Sequence, residues 1–347
     1  MELILSNILP VRHTTIRNMY SVFNDLLLEA DGLRIASGYI SADALTELKK
    51  LIEMNEKSYL ELVIGMHGFD GFTRSQYEAA EYLDSYLRFK NAGGVRIATV
   101  FKFHGKVCSF LKNTIPFAAI IGSSNLNSIF DNLNIYEVDL LLREKETVLE
   151  VDTFLSDLSE KACVFFKDWK LKGFIEGKNT LMEGLEGVEK MQREEFDEIW
   201  PHKIDVSFKI PIKSDDALRS NLNVFFGKGR VDQRGFIKPR HWYEVEVIVP
   251  NSITRDSSYP QAGRIITVIT DDGWKFRCKI SGDYSKNFRS HDDLKTLGRW
   301  FKGRLENSGA MKVGEMVTKE TLRRYGRDNF ELIASDDPDV WLLDFSV

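Results

Sequence analysis

Val95-Arg96-Ile97-Ala98-Thr99-Val100-Phe101-Lys102-Phe103-His104-Gly105-Lys106 is a β-rich run that closes on a histidine and a lysine two residues apart. With a strand over 95–103, that i, i+2 spacing sends imidazole and ammonium out on one face of a sheet. One strand later, Gly122-Ser123-Ser124-Asn125 is a small-residue loop whose backbone N–H groups and amide can approach a phosphate. Glu137 and Asp139 alternate on the next strand and offer a carboxylate to orient an imidazole. A phosphodiesterase needs these parts: a histidine with its tautomer held by a partner, and a lysine and an amide to neutralise phosphate oxygens. The candidate catalytic set is therefore His104, Lys106, Ser123, Asn125 and Glu137, with Asp139 the alternative orienter. His67, in Gly65-Met66-His67-Gly68-Phe69, reads as a loop residue and not a ligand. The sequence carries no DxD, no HExxH and no PD-(D/E)xK-like pair in a strand context, so neither a metal site nor a cofactor is expected.

Around this run the first half alternates strand and helix patterns. Strands are expected at 34–40, 59–64, 95–103, 117–121 and 135–142, and helices at 41–56, 75–91 and 147–167. Alternation of this kind predicts an α/β layer structure, a mixed sheet flanked by helices. From about 170 to 198 the composition turns to Gly, Lys and above all Glu, including Glu183, Glu186, Glu189, Glu194, Glu195 and Glu198, without a strand-like run. This segment reads as an acidic linker, either a solvated tether or an occupant of the catalytic cleft until DNA binds. Beyond it strands are expected at 206–212, 243–249, 264–269, 274–280 and 314–317, with one helix at 292–305, as in a mostly-β pseudobarrel. The domain division is 1–169 catalytic, 170–199 linker and 200–347 recognition.

Charge is segregated along the chain. Residues 1–200 hold 22 Lys and Arg against 31 Asp and Glu, whereas 201–330 hold 25 against 16, so an overall net charge of −5 conceals a basic module. Such a module suits a polyanion, because phosphate contacts supply most non-specific affinity. No apolar run approaches the roughly 20 residues that span a bilayer. The N-terminal stretch lacks the pattern of a secretory signal, and a cytoplasmic location without membrane contact is expected. Cys108, Cys163 and Cys278 are too few and too scattered for a disulfide framework, and read as buried thiols.

His104 and Lys106 followed by Gly122, Ser123 and Asn125 resemble the phospholipase D superfamily signature, HxK then an Asp then GSxN. The family's Asp position falls on Leu111, and the spacing to Gly122 is longer than in the common pattern. That departure is similar to the restriction-endonuclease branch of the superfamily, the BfiI-like and NgoAVII-like enzymes, where a Glu downstream of the Asn takes the carboxylate role; here that is Glu137. The resemblance implies a phospholipase D-like fold over roughly residues 1–165 and metal-independent hydrolysis through a covalent phosphohistidine. The family's site uses two histidines and this chain has one HxK; His13, His67, His202, His241 and His291 lack the rest of the motif. The resemblance therefore implies a homodimer through the N-terminal domain, with two copies of His104 in one site.

Two basic segments lie in the second half. Lys228–Arg240 has five basic residues against one Asp, and 275–304 has nine against three acidic, including Ser281-Gly282-Asp283-Tyr284-Ser285-Lys286-Asn287-Phe288-Arg289. With the Trp274-Lys275-Phe276-Arg277 stretch and the helical Leu297-Gly298-Arg299-Trp300-Phe301, they resemble the two arms of the B3 DNA-binding fold. By that resemblance Lys228, Arg230, Asp232, Gln233, Arg234, Asp283, Tyr284, Lys286 and Asn287 are the expected contacts to double-stranded DNA. The leading functional expectation is a type II restriction endonuclease that cuts outside its recognition sequence. Alternatives are a phospholipase D-type nuclease in repair, a phosphodiesterase for a lipid or nucleotide, and an inactive DNA-binding regulator.

Overall fold

The computed structural model describes residues 1–130, 135–177, 181–200, 203–214 and 219–347; His202 lies outside the described residues. The chain forms two compact units, Met1–Gly177 with Val231–Lys238, and Lys178–Arg230 with Pro239–Val347.

The first unit runs β1 (Glu2–Leu5), α1 (Met19–Glu29), β2 (Gly32–Ser37), α2 (Ala42–Met54), β3 (Tyr59–Ile64), α3 (His67–Asp70), α4 (Arg74–Phe89), β4 (Gly93–Ala98), β5 (Lys106–Lys112), β6 (Ile115–Gly122), α5 (Leu126–Phe130), β7 (Val138–Leu142), α6 (Lys145–Ala162) and β8 (Cys163–Phe165). Its sheet has the order β1-β7-β6-β5-β2-β3-β4-β8. Strands β2, β3 and β4 are parallel, joined through α2 and α4, and the remaining pairings are antiparallel. Helix starts follow from capping side chains: Ser41 accepts from Ala44 N, and Thr73 and Gln76 form a reciprocal capping box.

Both faces of the sheet are covered, which the two-residue period of β5 displays. Phe110 stacks edge-on against Phe23 of α1, with ring centroids 5.3 Å apart. Its neighbour Ser109 points the other way and donates to Asp152 of α6 at 2.8 Å, where Arg34 of β2 also pairs with Asp152. Burial on both faces erases the polar–apolar alternation of Lys106–Lys112, which is why the sequence shows no strand there.

The structure corrects the expected strand 95–103. It ends at Ala98, because the Thr99 and Val100 N–H groups both turn to the Ala162 carbonyl and leave the ladder. His104 thus stands in an irregular crossing segment, and Lys106 opens β5. Likewise β7 begins at Val138, so Glu137 precedes the strand and only Asp139 belongs to it. His67 opens a one-turn helix instead of lying in a loop.

The second unit runs β9 (Glu189–Lys190), α7 (Arg193–Ile199), β10 (Lys203–Pro211), β11 (Arg230–Val231), β12 (Ile237–Lys238), β13 (Val247–Ile248), α8 (Asn251–Thr254), β14 (Ile265–Thr270), β15 (Trp274–Ser281), β16 (Asn287–Ser290), α9 (Thr296–Asn307), α10 (Lys319–Tyr325), β17 (Asn329–Ser335) and β18 (Val340–Asp344), with β12 counted in the first unit. The sheet order is β10-β17-β18-β14-β15-β16-β13, with β9 pairing β15, a strand-rich half-barrel. The segment read as a featureless linker therefore contains structure: β9 pairs with Trp274 and Lys275, and Phe196, Ile199 and Trp200 pack on Met191, Ile269 and Leu342.

Helix α9 fills the half-barrel. Leu297, Trp300, Phe301 and Leu305 are buried, and Phe301 packs against Trp300, Phe330 and Phe345. Lys302 is fully buried as well; its ammonium donates to the Trp242 carbonyl and lies 3.8 Å from the ring centroid. Glu306 accepts from the Trp242 indole at 2.8 Å and the Tyr243 hydroxyl at 3.0 Å. These bonds draw 242–245 onto the helix, so the expected strand 243–249 is reduced to Val247–Ile248. The expected strand 314–317 is a turn leading to α10, whose N-cap is Thr318. Replacing Phe301 by Ala leaves a cavity between Trp300, Phe330 and Phe345; the expected loss is about 3–5 kcal/mol, read as a lower urea midpoint for unfolding of the second unit.

Candidate active site and DNA-binding arms

The candidate site forms where β2 ends. Ser37 is in register with Lys106 on one side and Ile64 on the other, so the chain leaving β2 lies directly beside the HxK segment. Gly38 allows a close approach there: a Cβ would stand 3.2 Å from the His104 Cα and from its ring. Gly122 has the same role across the site, since a Cβ would reach 2.2 Å from an Asp139 carboxylate oxygen.

His104 and Lys106 meet through the lysine. Its ammonium donates to the His104 carbonyl at 2.6 Å and lies 3.1 Å from His104 Nε2. Partial burial lowers the Lys106 pKa below the ordinary lysine range, and the nearby negative charge of Glu137 opposes that shift. Asn125 is fixed by the backbone: the Tyr39 N–H donates to its Oδ1 at 3.2 Å, which leaves the Asn125 NH2 free to donate elsewhere. The Glu137 carboxylate accepts from the Ser123 hydroxyl and, at 3.2 Å, from Ser128.

Asp139, the alternative orienter, has another task. It is buried and takes both the Ser124 hydroxyl (2.5 Å) and the Ser124 N–H (3.0 Å), locking the Gly122–Asn125 loop. Glu137 is the carboxylate on the side of Lys106. The structure thus brings His104, Lys106, Ser123, Asn125 and Glu137 together at one end of the sheet, through β2, β5 and β6.

Sequence reasoning missed Tyr39, Asp70 and Lys102. The Tyr39 ring lies edge-on to both His104 (5.7 Å) and His67 (5.6 Å), and its hydroxyl donates to Asp70 at 3.0 Å. Asp70 also holds Lys102 at 2.6 Å, and the hydrogen bonds from Lys102 and Tyr39 lower its pKa. Lys102 is in phase with His104 and Lys106, the one available signal. His67 is buried, and burial lowers its pKa; as a neutral ring it donates from Nδ1 to the Gly71 carbonyl and accepts at Nε2 from the Ile40 N–H. Cys108 and Cys278 are buried, whereas Cys163 is half-buried; burial pushes the Cys108 thiol up to about 12 and Cys163 to about 11.

Among the expected DNA contacts, Asp283 and Tyr284 lie in a single 3-10 turn between β15 and β16. Tyr284 adopts φ 58° and ψ 30° and is 79% exposed. Lys286 is half-buried, and its carbonyl accepts from Val249 N. Asn287 donates to Glu246 at 3.1 Å, while its own Oδ1 is buried and meets no hydrogen-bond partner among the described residues. On the other segment Lys228 is exposed, and Arg230 shares the buried Glu244 with Arg240 at 2.6 and 2.7 Å. Asp232 caps the turn between β11 and β12, accepting from the Arg234 and Phe236 N–H groups, with Gln233 exposed between them. Within the first unit Arg234 pairs with Asp25 at 2.7 Å, and Asn55 bonds both the N–H and the carbonyl of Ile237.

Two family models match the chain, one in each half. Residues 15–165 match the NgoFVII restriction endonuclease N-terminal PLD domain, and residues 198–336 match the NgoFVII C-terminal B3-like DNA-binding domain. Solved structures similar to the chain include NucT from Helicobacter pylori, 16% identical over 42% of this chain and 90% of that one, with a TM-score of 0.32. Nuc from Salmonella typhimurium, a phospholipase D family member, is 14% identical over 42% of this chain and 88% of that one, with a TM-score of 0.31. No curated protein matches the chain. The molecule is a DNA-cleaving phosphodiesterase of phospholipase D fold that carries its own B3-like DNA-binding domain. It belongs to the NgoFVII restriction endonuclease family. No described helix is long and apolar enough to cross a membrane.

The role of Asp139 yields a pH test. Burial lifts its pKa above the ordinary carboxylate value, with the Ser124 bonds opposing, so the folded state retains this proton to higher pH than the unfolded chain. Stability contributed by the group is full below the unfolded value near 3.8 and falls as pH rises through the folded value. Asp139→Asn is expected to flatten that part of the profile, measured as urea midpoints from about pH 3.5 to 7.

Proposed function

We propose that the chain is a metal-independent type II restriction endonuclease that cuts through a phosphohistidine on His104, acting as a homodimer in which two copies of the first unit form one site. The observation that carries this reading is the contact of Lys106 with the His104 ring beside an Asn125 whose carbonyl is occupied by the Tyr39 N–H. A nucleophile, a cation and an amide donor are thereby aimed at one small volume, the arrangement that in-line attack on a phosphodiester requires.

In the proposed reaction His104 Nε2 attacks phosphorus and the P–O3′ bond breaks. The leaving 3′-oxygen takes a proton from the second copy's His104. Water then attacks the phosphohistidine, the P–N bond breaks, and the water proton passes to the second imidazole, which restores both rings. Lys106 and the Asn125 NH2 neutralise the equatorial oxygens. Glu137, held by Ser123 and Ser128, supplies the carboxylate that an imidazolium needs.

Recognition falls to the B3-like domain: Asp283, the exposed, left-handed Tyr284, Lys286 and Asn287 form its C-terminal arm, and Lys228, Arg230, Asp232, Gln233 and Arg234 the N-terminal one, of which Val231–Lys238 is counted with the first unit. A recognition domain distinct from the catalytic one is consistent with cleavage outside the recognised sequence.

Cleavage of long duplex DNA in excess EDTA is expected to give discrete fragments with the wild type and at least about 10⁴-fold slower cleavage with His104→Ala. Mixed dimers of the two chains are expected to be equally impaired. Cleavage that depends on added magnesium overturns the mechanism. For the arm, Tyr284→Ala is expected to weaken specific binding by about 10-fold in electrophoretic shift titrations, with its salt dependence unchanged, whereas Lys286→Ala lowers the salt slope by about one phosphate contact.

A further inference from the structure

Tyr39 touches both halves of the catalytic motif. Its backbone N–H fixes the Asn125 carbonyl, and its ring lies edge-on to His104 at 5.7 Å with an interplanar angle of 77°. The side chain is 38% exposed, so burial alone does not account for either contact.

The surroundings of Tyr39 are braced from every side. Its carbonyl accepts from the Ser37 hydroxyl at 2.8 Å, and the same hydroxyl accepts from Leu126 N at 3.1 Å, one residue beyond Asn125. The next N–H, that of Ile40, is taken by the buried His67, whose ring forms the wall on the other side of the phenol. The hydroxyl is tied to Asp70, which also holds Lys102 two residues before His104. The carboxylate therefore joins the end of β2 to the crossing segment that delivers the imidazole.

An exposed ion pair of this kind contributes little to folding, so its consequence is positional. The HxK histidine sits in an irregular segment, outside any strand ladder, and nothing in regular secondary structure sets its ring. Catalytic groups must be held to a fraction of an ångström, and a loose histidine loses rate without losing substrate affinity.

We propose that Tyr39 is a positioning residue for the reaction at His104, setting the imidazole with its ring, while Asp70 and Lys102 hold the phenol in place. The proposal rests on His104 being the nucleophile. Its test is a double-mutant cycle of Tyr39→Phe and Asp70→Asn, with Tyr39→Leu to remove the ring, in full-length protein under single-turnover conditions at saturating DNA. Alongside the rates, DNA affinity and the NMR shifts of the His104 ring protons, assigned by their absence in His104→Ala, are read without substrate.

Tyr39→Phe and Asp70→Asn are each expected to slow cleavage about 10-fold, and the double variant no further, because both break one brace. Tyr39→Leu is expected to slow cleavage about 100-fold, to change DNA affinity less than 2-fold, and to move the His104 ring shifts by removing the ring current. Rates within 2-fold of wild type for Tyr39→Leu, multiplying effects in the double variant, or unmoved ring shifts each overturn the proposal. Full cleavage by His104→Ala instead overturns the nucleophile assignment and the proposal with it, even if the ring shifts move as expected.

Discussion

The turn that leaves β2 is where the first unit is decided. The backbone of Gly38, Tyr39 and Ile40 meets His104, Asn125 and His67 in turn within hydrogen-bonding or van der Waals distance. The absent Cβ of Gly38 permits the approach, and the Ser37 hydroxyl ties it to the start of α5. A Cβ at position 38 would press on His104, which would have to yield by a few tenths of an ångström. The parallel βαβ layers exist around that junction, since they put the ends of β2, β3 and β4 at one edge.

Two carboxylates only two positions apart in sequence show how burial assigns different tasks. Asp139 faces inward, meets Ser124 twice, and is raised in pKa by the loss of water. Glu137 precedes the strand, keeps part of its surface in solvent, and reaches Ser123, Ser128 and the charge of Lys106. The difference is a single strand boundary.

The second unit solves another problem, how to carry many cations on a small half-barrel without losing its core. Several arginines are paired with buried or half-buried carboxylates: Arg230 and Arg240 with Glu244, Arg304 with Asp271, Arg327 with Asp344. Burial pushes Asp271 up to about 6, while the Ser346 and Arg327 bonds outweigh burial at Asp344 and hold it at about 2. Such pairs anchor the guanidinium groups on the half-barrel, and the aromatic packing of α9 supplies rigidity in its core.

The α/β and strand-rich halves, the charge segregation and the candidate set His104, Lys106, Ser123, Asn125 and Glu137 were legible in the residues alone, because periodicity, composition and short motifs are local properties. Strand ends at 98 and 138 were not legible, since they depend on the Ala162 carbonyl and on partners distant in the chain. Strand β5 was invisible because burial on both faces removes alternation. The acidic stretch read as a tether because Glu dominates it, whereas a few apolar residues, Met191, Phe196, Ile199 and Trp200, decide that it folds onto the second sheet. Tyr39, Asp70 and Lys102 lie 31 and 32 residues apart in steps that no motif spans, and only tertiary structure brings a phenol, a carboxylate and an ammonium together beside the histidine.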